Sequence, residues 1–241
     1  MPEGVAAMTD VVTRQDLLNE FEVAEDMILD GLKIVQDVRL YRFTSDSVLL
    51  SRFVTPKKGE KIADFCAGSG IVGFHFYALN RARLAGAPIT LVELQTSLSE
   101  LSKKTIALNG FDNFTVVNSS LQELGKEYNE RFSLILCNPP YERGGFEKES
   151  YEKAICRKEI TLSLPEIAAV SARCLKFGGR LAMVHRADRV AEVICALKAV
   201  NLETKRLQFV AGKEGAKPYL VLIEAVKGGK PACDVLPTLI N

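Results

Sequence analysis

A chain of 241 residues with 47% hydrophobic side chains can bury a full core, as one large domain or one domain with a small addition, which excludes disorder as the default. Its 31 basic and 30 acidic side chains leave a formal charge of +1, so no overall field points to nucleic acid or membrane, and a nucleic-acid partner needs a local basic patch. Six well-separated cysteines without a C-x-x-C pair, in a chain with no secretory leader and no apolar run long enough for a bilayer, point to reduced thiols in a cytoplasmic protein. They argue against a disulfide framework, a zinc site or a membrane anchor.

Residues 1–55, including TRQDLLNEFEVAEDMILDGLKIVQDVRLYRFTSDSVLLSRFV, predict a small helix-and-hairpin extension, followed by a larger unit over 56–241. KIADFCAGSG (61–70) predicts a short buried strand entering a glycine turn, and IVGFHFYALNRARLAG continues with helical spacing. PITLVEL (88–94) predicts a second strand that ends in an acid. TSLSELSKKTIALNGF opens on Thr and Ser as cap candidates and closes on Asn109 and Gly110, a helix stop. FTVVNSS and FSLILCNPPY predict a third and a fourth strand, and SLPEIAAVSARCLKFGG a helix with Pro near its start and Gly-Gly past its end. RLAMVH, ETKRLQFV and PYLVLIEAV complete seven strands, with ADRVAEVICALKAV as a helix after the first of these.

Strands alternating with helices imply the α/β class, a mostly parallel sheet with helices on both faces. Only AGKEGAK separates the last two strands, which predicts an antiparallel pair at an edge. Ligands in such sheets bind beyond the carboxyl ends of the strands, which singles out ADFCAGSG, LVE, VVNSS and LCNPPY. The glycines of the first let backbone N–H groups approach a ligand ahead of a helix N-terminus. Glu93 lies 23 residues beyond Gly70, close to the roughly 20 expected for a carboxylate on a ribose. Gly68-Ser69-Gly70-Ile71-Val72-Gly73 fits a dinucleotide fingerprint formally, while Asp64 and Cys66 also fit a site for S-adenosylmethionine, and the glycine turn does not decide between them.

NPPY narrows the chemistry. Asn138 carries a side-chain oxygen and Pro139 a free carbonyl without an N–H; held rigidly, the two accept both hydrogens of a planar NH₂ group. That arrangement favours rehybridisation of the nitrogen as it attacks. Tyr141 offers a face on which the amine-bearing ring can stack. Asn-Pro is also a plain turn dipeptide, and an isolated His such as His75 or His185 is more often structural than a general base. Cys66 and Cys137 flank the site and receive no nucleophilic role.

In this order ADFCAGSG, LVE and NPPY resemble a class I S-adenosylmethionine-dependent methyltransferase of the amino-methylating type, with its Rossmann-like fold. FTSDSVLLSRFV, RKEITLSLPEI, GGRLAMVHRADRVAEVI and GKEGAKPYLVLIEAVKGGKP extend the resemblance over nearly the whole chain, to the bacterial tRNA1(Val) (adenine(37)-N6)-methyltransferase family. The resemblance implies cofactor contacts from Asp46, Asp64, Cys66, Ala67, Gly68, Gly70, Glu93, Leu94, Ser120 and Asn138, and a catalytic motif of Asn138, Pro139, Pro140 and Tyr141. It implies N6-methylation of adenosine in tRNA, at position 37 of a valine tRNA, without a metal or a membrane. The alternatives are another amino acceptor (DNA adenine, ribosomal guanine N2, protein glutamine N5), a non-catalytic RNA-binding protein and, more weakly, a nicotinamide oxidoreductase.

Substrate contacts are expected from Tyr141, Arg157, Lys158, Arg186, Lys213 and Lys217. Lys57, Lys58, Lys61 and Arg189 are further candidates, whereas Lys103 and Lys104 read as a solvated helix face. The chain departs from the family in three places: Asn118-Ser119-Ser120 stands where many relatives place an acid, Lys158 stands where the family carries a His, and VLPTLIN falls short of the tail that relatives carry.

Overall fold

A computed structural model describes residues 17–27, 29, 31–40, 42, 44–141 and 162–241. It opens with an antiparallel hairpin of β1 (Glu22–Asp26) and β2 (Lys33–Asp37), followed by α1 (Ser45–Phe53). Then come β3 (Ile62–Phe65), α2 (Ile71–Leu79), β4 (Ile89–Glu93), α3 (Thr96–Asn109), β5 (Phe114–Asn118) and β6 (Phe132–Cys137). The second half comprises α4 (Leu164–Cys174), β7 (Leu175–Arg186), α5 (Val190–Ala199), β8 (Leu202–Ala211), β9 (Leu220–Lys227) and β10 (Asp234–Ile240).

The main sheet has the order β10-β8-β9-β7-β6-β3-β4-β5, parallel throughout except for β9, which runs antiparallel to both β7 and β8. The α/β class is as expected, with eight strands in place of seven. The added strand is β10, drawn from the segment that holds VLPTLIN, and it takes the edge beside β8, so the antiparallel strand β9 lies two places inside it.

Alternation along the strands explains why both faces are covered. Ile62, Leu134, Leu136, Ala182, Val184, Leu220 and Leu222 pack into one core with side chains of α1 and α2. Their neighbours Ala63, Ile135, Cys137, Leu181, Met183, Val221 and Ile223 pack into a second core with α4 and α5. Period-two runs that are apolar at every position are what a sheet buried on both sides requires.

Local chemistry sets the helix ends. Ser163 and Glu166 form a capping box at the start of α4, with Pro165 in its first turn. Gly110 (φ +64°) closes α3, where the Phe111 N–H donates to the Ile106 carbonyl at 3.1 Å. The hairpin is tied to α3 by side chains: the Val35 N–H donates to Thr105 Oγ1 and the Lys33 N–H to Asn109 Oδ1, both at 2.9 Å. Lys104, expected on a solvated face, instead donates to both oxygens of Glu22 on β1.

Candidate active site

Because β3 through β7 are parallel, their carboxyl ends share one edge, and the pairs Phe65↔Val92, Phe65↔Cys137 and Glu93↔Asn118 align the last residues of four strands there. The chain leaves β3 through Cys66, whose φ of +57° is unusual for a residue with a side chain. The Ala67 N–H donates to the Val92 carbonyl at 3.0 Å, and the Gly70 N–H closes the turn on the Ala67 carbonyl at 2.8 Å.

The two glycines of the turn serve different ends. At Gly68 (φ +58°) a Cβ would have no atom within 4 Å, so this backbone stands open to a ligand. At Gly70 (φ +85°) a Cβ would sit 2.4 Å from the Phe74 ring, so its smallness serves packing. Gly70→Ala is expected to lose at least about 2 kcal/mol, the left-handed backbone and the overpacked ring each costing about 1 kcal/mol or more. Urea unfolding measures this directly.

Two buried carboxylates organise the floor. Asp64 accepts the Gly73 N–H through Oδ2 at 2.8 Å, while its buried Oδ1 has no partner. Burial pushes its pKa up to about 7, against the opposing pull of the Gly73 N–H. Glu93, 6% exposed, accepts the Gly68 N–H and the Gln95 N–H, each at 2.8 Å. Burial raises its pKa and the backbone donors partly offset the shift. Asn118 donates to the Glu93 and Leu94 carbonyls at 2.9 Å, so the residue that stands in place of an acid braces the neighbouring strand end. Leu94 is exposed at this edge, and Ser120 is engaged with Glu123, donating to its carboxylate at 2.9 Å and accepting its N–H at 3.3 Å. The Cys66 thiol is held well above its ordinary pKa by contact with the Cys137 thiol and by burial, which leaves it a neutral, poor nucleophile.

The NPPY segment meets a region far away in sequence. Asn138 Nδ2 donates to Ser47 Oγ at 2.9 Å, and the Tyr141 hydroxyl donates to the Asp46 carboxylate. Pro139 and Pro140 are buried, the Tyr141 carbonyl accepts from Arg189 at 3.3 Å, and the Tyr141 ring lies 5.6 Å from the ring of His185 at a tilt of 53°. Asp46 is thus brought to the target motif. Ser47, His185 and Arg189 join the same cluster. Sequence reasoning did not assign Ser47 to the site, although TSDSVLL held it next to Asp46, and it set Arg189 among phosphate contacts when the residue is buried and paired with Glu192 at 2.9 Å. His75 hydrogen-bonds Ser51 through Nδ1 at 2.6 Å and, with its pKa lowered by burial to about 4, is a neutral link between α1 and α2.

The basic side chains divide between the two edges of the sheet. Arg186 ends β7 and pairs with Asp188 at 2.6 Å. Lys213 and Lys217 lie in the loop from β8 to β9, beside that strand end, where the Ala187 N–H donates to the Tyr219 carbonyl. Lys57, Lys58 and Lys61 precede β3 and so belong to the opposite edge, away from NPPY; the expectation that they surround the site fails because strand direction sends a residue before a strand and a residue after it to opposite ends. Arg157 and Lys158 lie outside the described residues, as does Cys156; the other five cysteines are free thiols. Among the described residues no helix is long and apolar enough to cross a membrane, and no group of three or more His, Cys, Asp or Glu could hold a metal ion.

Known proteins share this arrangement. The model of the methyltransferase small domain matches residues 44–212. A tRNA1(Val) (adenine(37)-N6)-methyltransferase of Shewanella baltica is 29% identical over 184 residues, 74% of this chain and 75% of the relative. One of Shewanella putrefaciens is 30% identical over 182 residues, 74% of each. A crystal structure of a predicted O-methyltransferase from Agrobacterium tumefaciens superposes with a TM-score of 0.64 at 22% identity, covering 81% of this chain and 86% of that one, which shows the shared fold. By the extent of these matches, the chain belongs to the methyltransferase small domain family and, within it, to that of the tRNA1(Val) (adenine(37)-N6)-methyltransferases.

Proposed function

We propose that the chain methylates N6 of an adenosine in tRNA with S-adenosylmethionine as donor, at position 37 of a valine tRNA, the position that the names of its relatives carry. The observation that carries this reading is the Asn138 amide at the end of β6, its nitrogen engaged by Ser47, which leaves its oxygen for an amine.

The residues present fit the cofactor. Gly68 offers open backbone beside the buried Glu93 carboxylate, whose two oxygens have lone pairs beyond those used by Gly68 and Gln95, enough to accept ribose hydroxyls. Asp64 keeps one buried oxygen without a partner beneath the turn. When bound, S-adenosylmethionine supplies an electrophilic methyl group on a sulfonium.

Everything else falls to the chain. Asn138 and the Pro139 carbonyl accept the two N–H hydrogens of the adenine amine, an interaction that strengthens as the nitrogen becomes pyramidal, so it stabilises the transition state more than the ground state. Tyr141, fixed through its hydroxyl by Asp46, offers its ring as a stacking surface for an extruded base. Positioning for in-line attack carries most of the rate, and no general base is required before methyl transfer. Lys213 and Lys217 supply phosphate contacts at the same edge, together with Arg186.

The test is transfer of labelled methyl from S-adenosylmethionine to total tRNA, with DNA, ribosomal RNA and a glutamine peptide in parallel, followed by nucleoside analysis. N6-methyladenosine formed in tRNA alone is the expected result. Label in another acceptor would retain the amine clamp and overturn the substrate.

A further inference from the structure

Ser47 and Asn138 are 91 residues apart in sequence and 2.9 Å apart in space. We infer that Ser47 is a positioning residue for methyl transfer, fixing the plane of the Asn138 carboxamide so that its oxygen meets the target amine. The inference rests on the reading of Asn138 as an amine acceptor.

A carboxamide has two ends of nearly equal size and opposite function, and its terminal torsion is broad and roughly two-fold. The Ser47 hydroxyl can accept from the NH₂ end or donate to the oxygen end, so it fixes the plane of the carboxamide; in this structure the nitrogen faces Ser47 and the oxygen is turned away from it. An amide NH₂ facing an adenine NH₂ sets donors against donors, so a flipped Asn138 would repel the substrate that it is to hold. The backbone before it is fixed, because Cys137 pairs with Phe65 on one side and Met183 on the other. The remaining freedom lies in the side chain, and that is where Ser47 acts.

Ser47 is suited to act as a fixed point. It is 3% exposed in the first turn of α1, and that helix is anchored by the buried Leu49, Leu50 and Phe53. The same turn grips the other end of the motif through Asp46 and the Tyr141 hydroxyl. One helical turn thus holds both the amide and the aromatic ring of NPPY, each by a side chain that sequence places next to the other. Both contacts are side chain to side chain, so neither is needed to form the sheet or the helix.

The experiment compares Ser47→Ala, Asn138→Ala and the double variant in methyl transfer to tRNA, with S-adenosylmethionine affinity measured by calorimetry. Ser47→Ala is expected to lower kcat about 10- to 100-fold, the scale of a small misplacement, with the KM for tRNA and the cofactor affinity unchanged. In the Asn138→Ala background it is expected to cost nothing more, because its effect passes through the amide. An unchanged kcat in Ser47→Ala alongside a large loss in Asn138→Ala would overturn the role of Ser47 and leave the clamp standing. Additive losses in the double variant would overturn it as well, by showing an effect through α1 itself. Full activity in Asn138→Ala would instead remove the clamp on which the inference rests.

Discussion

Asn138→Ala is expected to lower methyl transfer to tRNA at least about 100-fold, the usual loss when a hydrogen-bonding group aimed at transition-state charge is deleted. Adenine N6 is a weak nucleophile because its lone pair is delocalised into the ring. Its two hydrogens become better donors as the lone pair localises, so the Asn138 oxygen gains strength as the reaction proceeds. Alanine removes that acceptor and leaves the Pro139 carbonyl alone. The cofactor site keeps its main elements, since Gly68, Glu93 and Asp64 bond to one another's strands and turns without help from Asn138. Single-turnover methyl transfer measured beside calorimetric binding of S-adenosylmethionine separates the two effects, and an active variant would remove the amine clamp from the mechanism.

Glu93→Ala is expected to act on binding. The carboxylate collects two backbone N–H groups at 2.8 Å in a buried setting, and hydrogen bonds to a charged group are worth about 1.5–3 kcal/mol each. Loss of the acceptor frees the Gly68 amide and the glycine turn with it, and removes the partner of the ribose hydroxyls. A fall in cofactor affinity of about 10- to 100-fold follows, with some loss of stability. Because burial raises the Glu93 pKa, affinity in the unaltered enzyme should also decline as pH falls through that raised value, when the carboxylate gains a proton and ceases to be a two-sided acceptor. Calorimetry across pH checks both, and an affinity indifferent to Glu93→Ala would end its ribose role.

Much of this molecule could be read from its residues. The strands β3, β4 and β6 are short apolar runs broken by residues with an evident local purpose, the glycines after Phe65, the acid at Glu93 and the prolines after Asn138. β10 was illegible because Pro237 interrupts it, and a proline usually argues against a strand. The structure accommodates it at the sheet edge, where the register against β8 shifts between Leu236 and Leu239 and Gln208 donates its side-chain amide to the Pro237 carbonyl. Ser47 escaped notice for another reason: a serine in a helix's first turn is adequately explained by the turn itself, and only its hydrogen bond with Asn138 shows another use. The same limit applied to Lys104 and Arg189, whose partners come from elements that no local pattern links to them.

The long span between Ser47 and Asn138 also bears on how the enzyme comes into being. Domains generally begin folding from the N-terminus during synthesis, at about 5–20 residues per second. Across the 91 positions that separate the pair, α1 waits roughly 5–20 s for β6 to be made. In that interval the nascent chain already carries the glycine turn and Glu93, while the first turn of α1 has neither of its NPPY partners. Catalytic competence is therefore acquired late in synthesis, and a fragment released after β5 would hold Asp64, Gly68 and Glu93 for the donor but lack Asn138 and Tyr141 for the base.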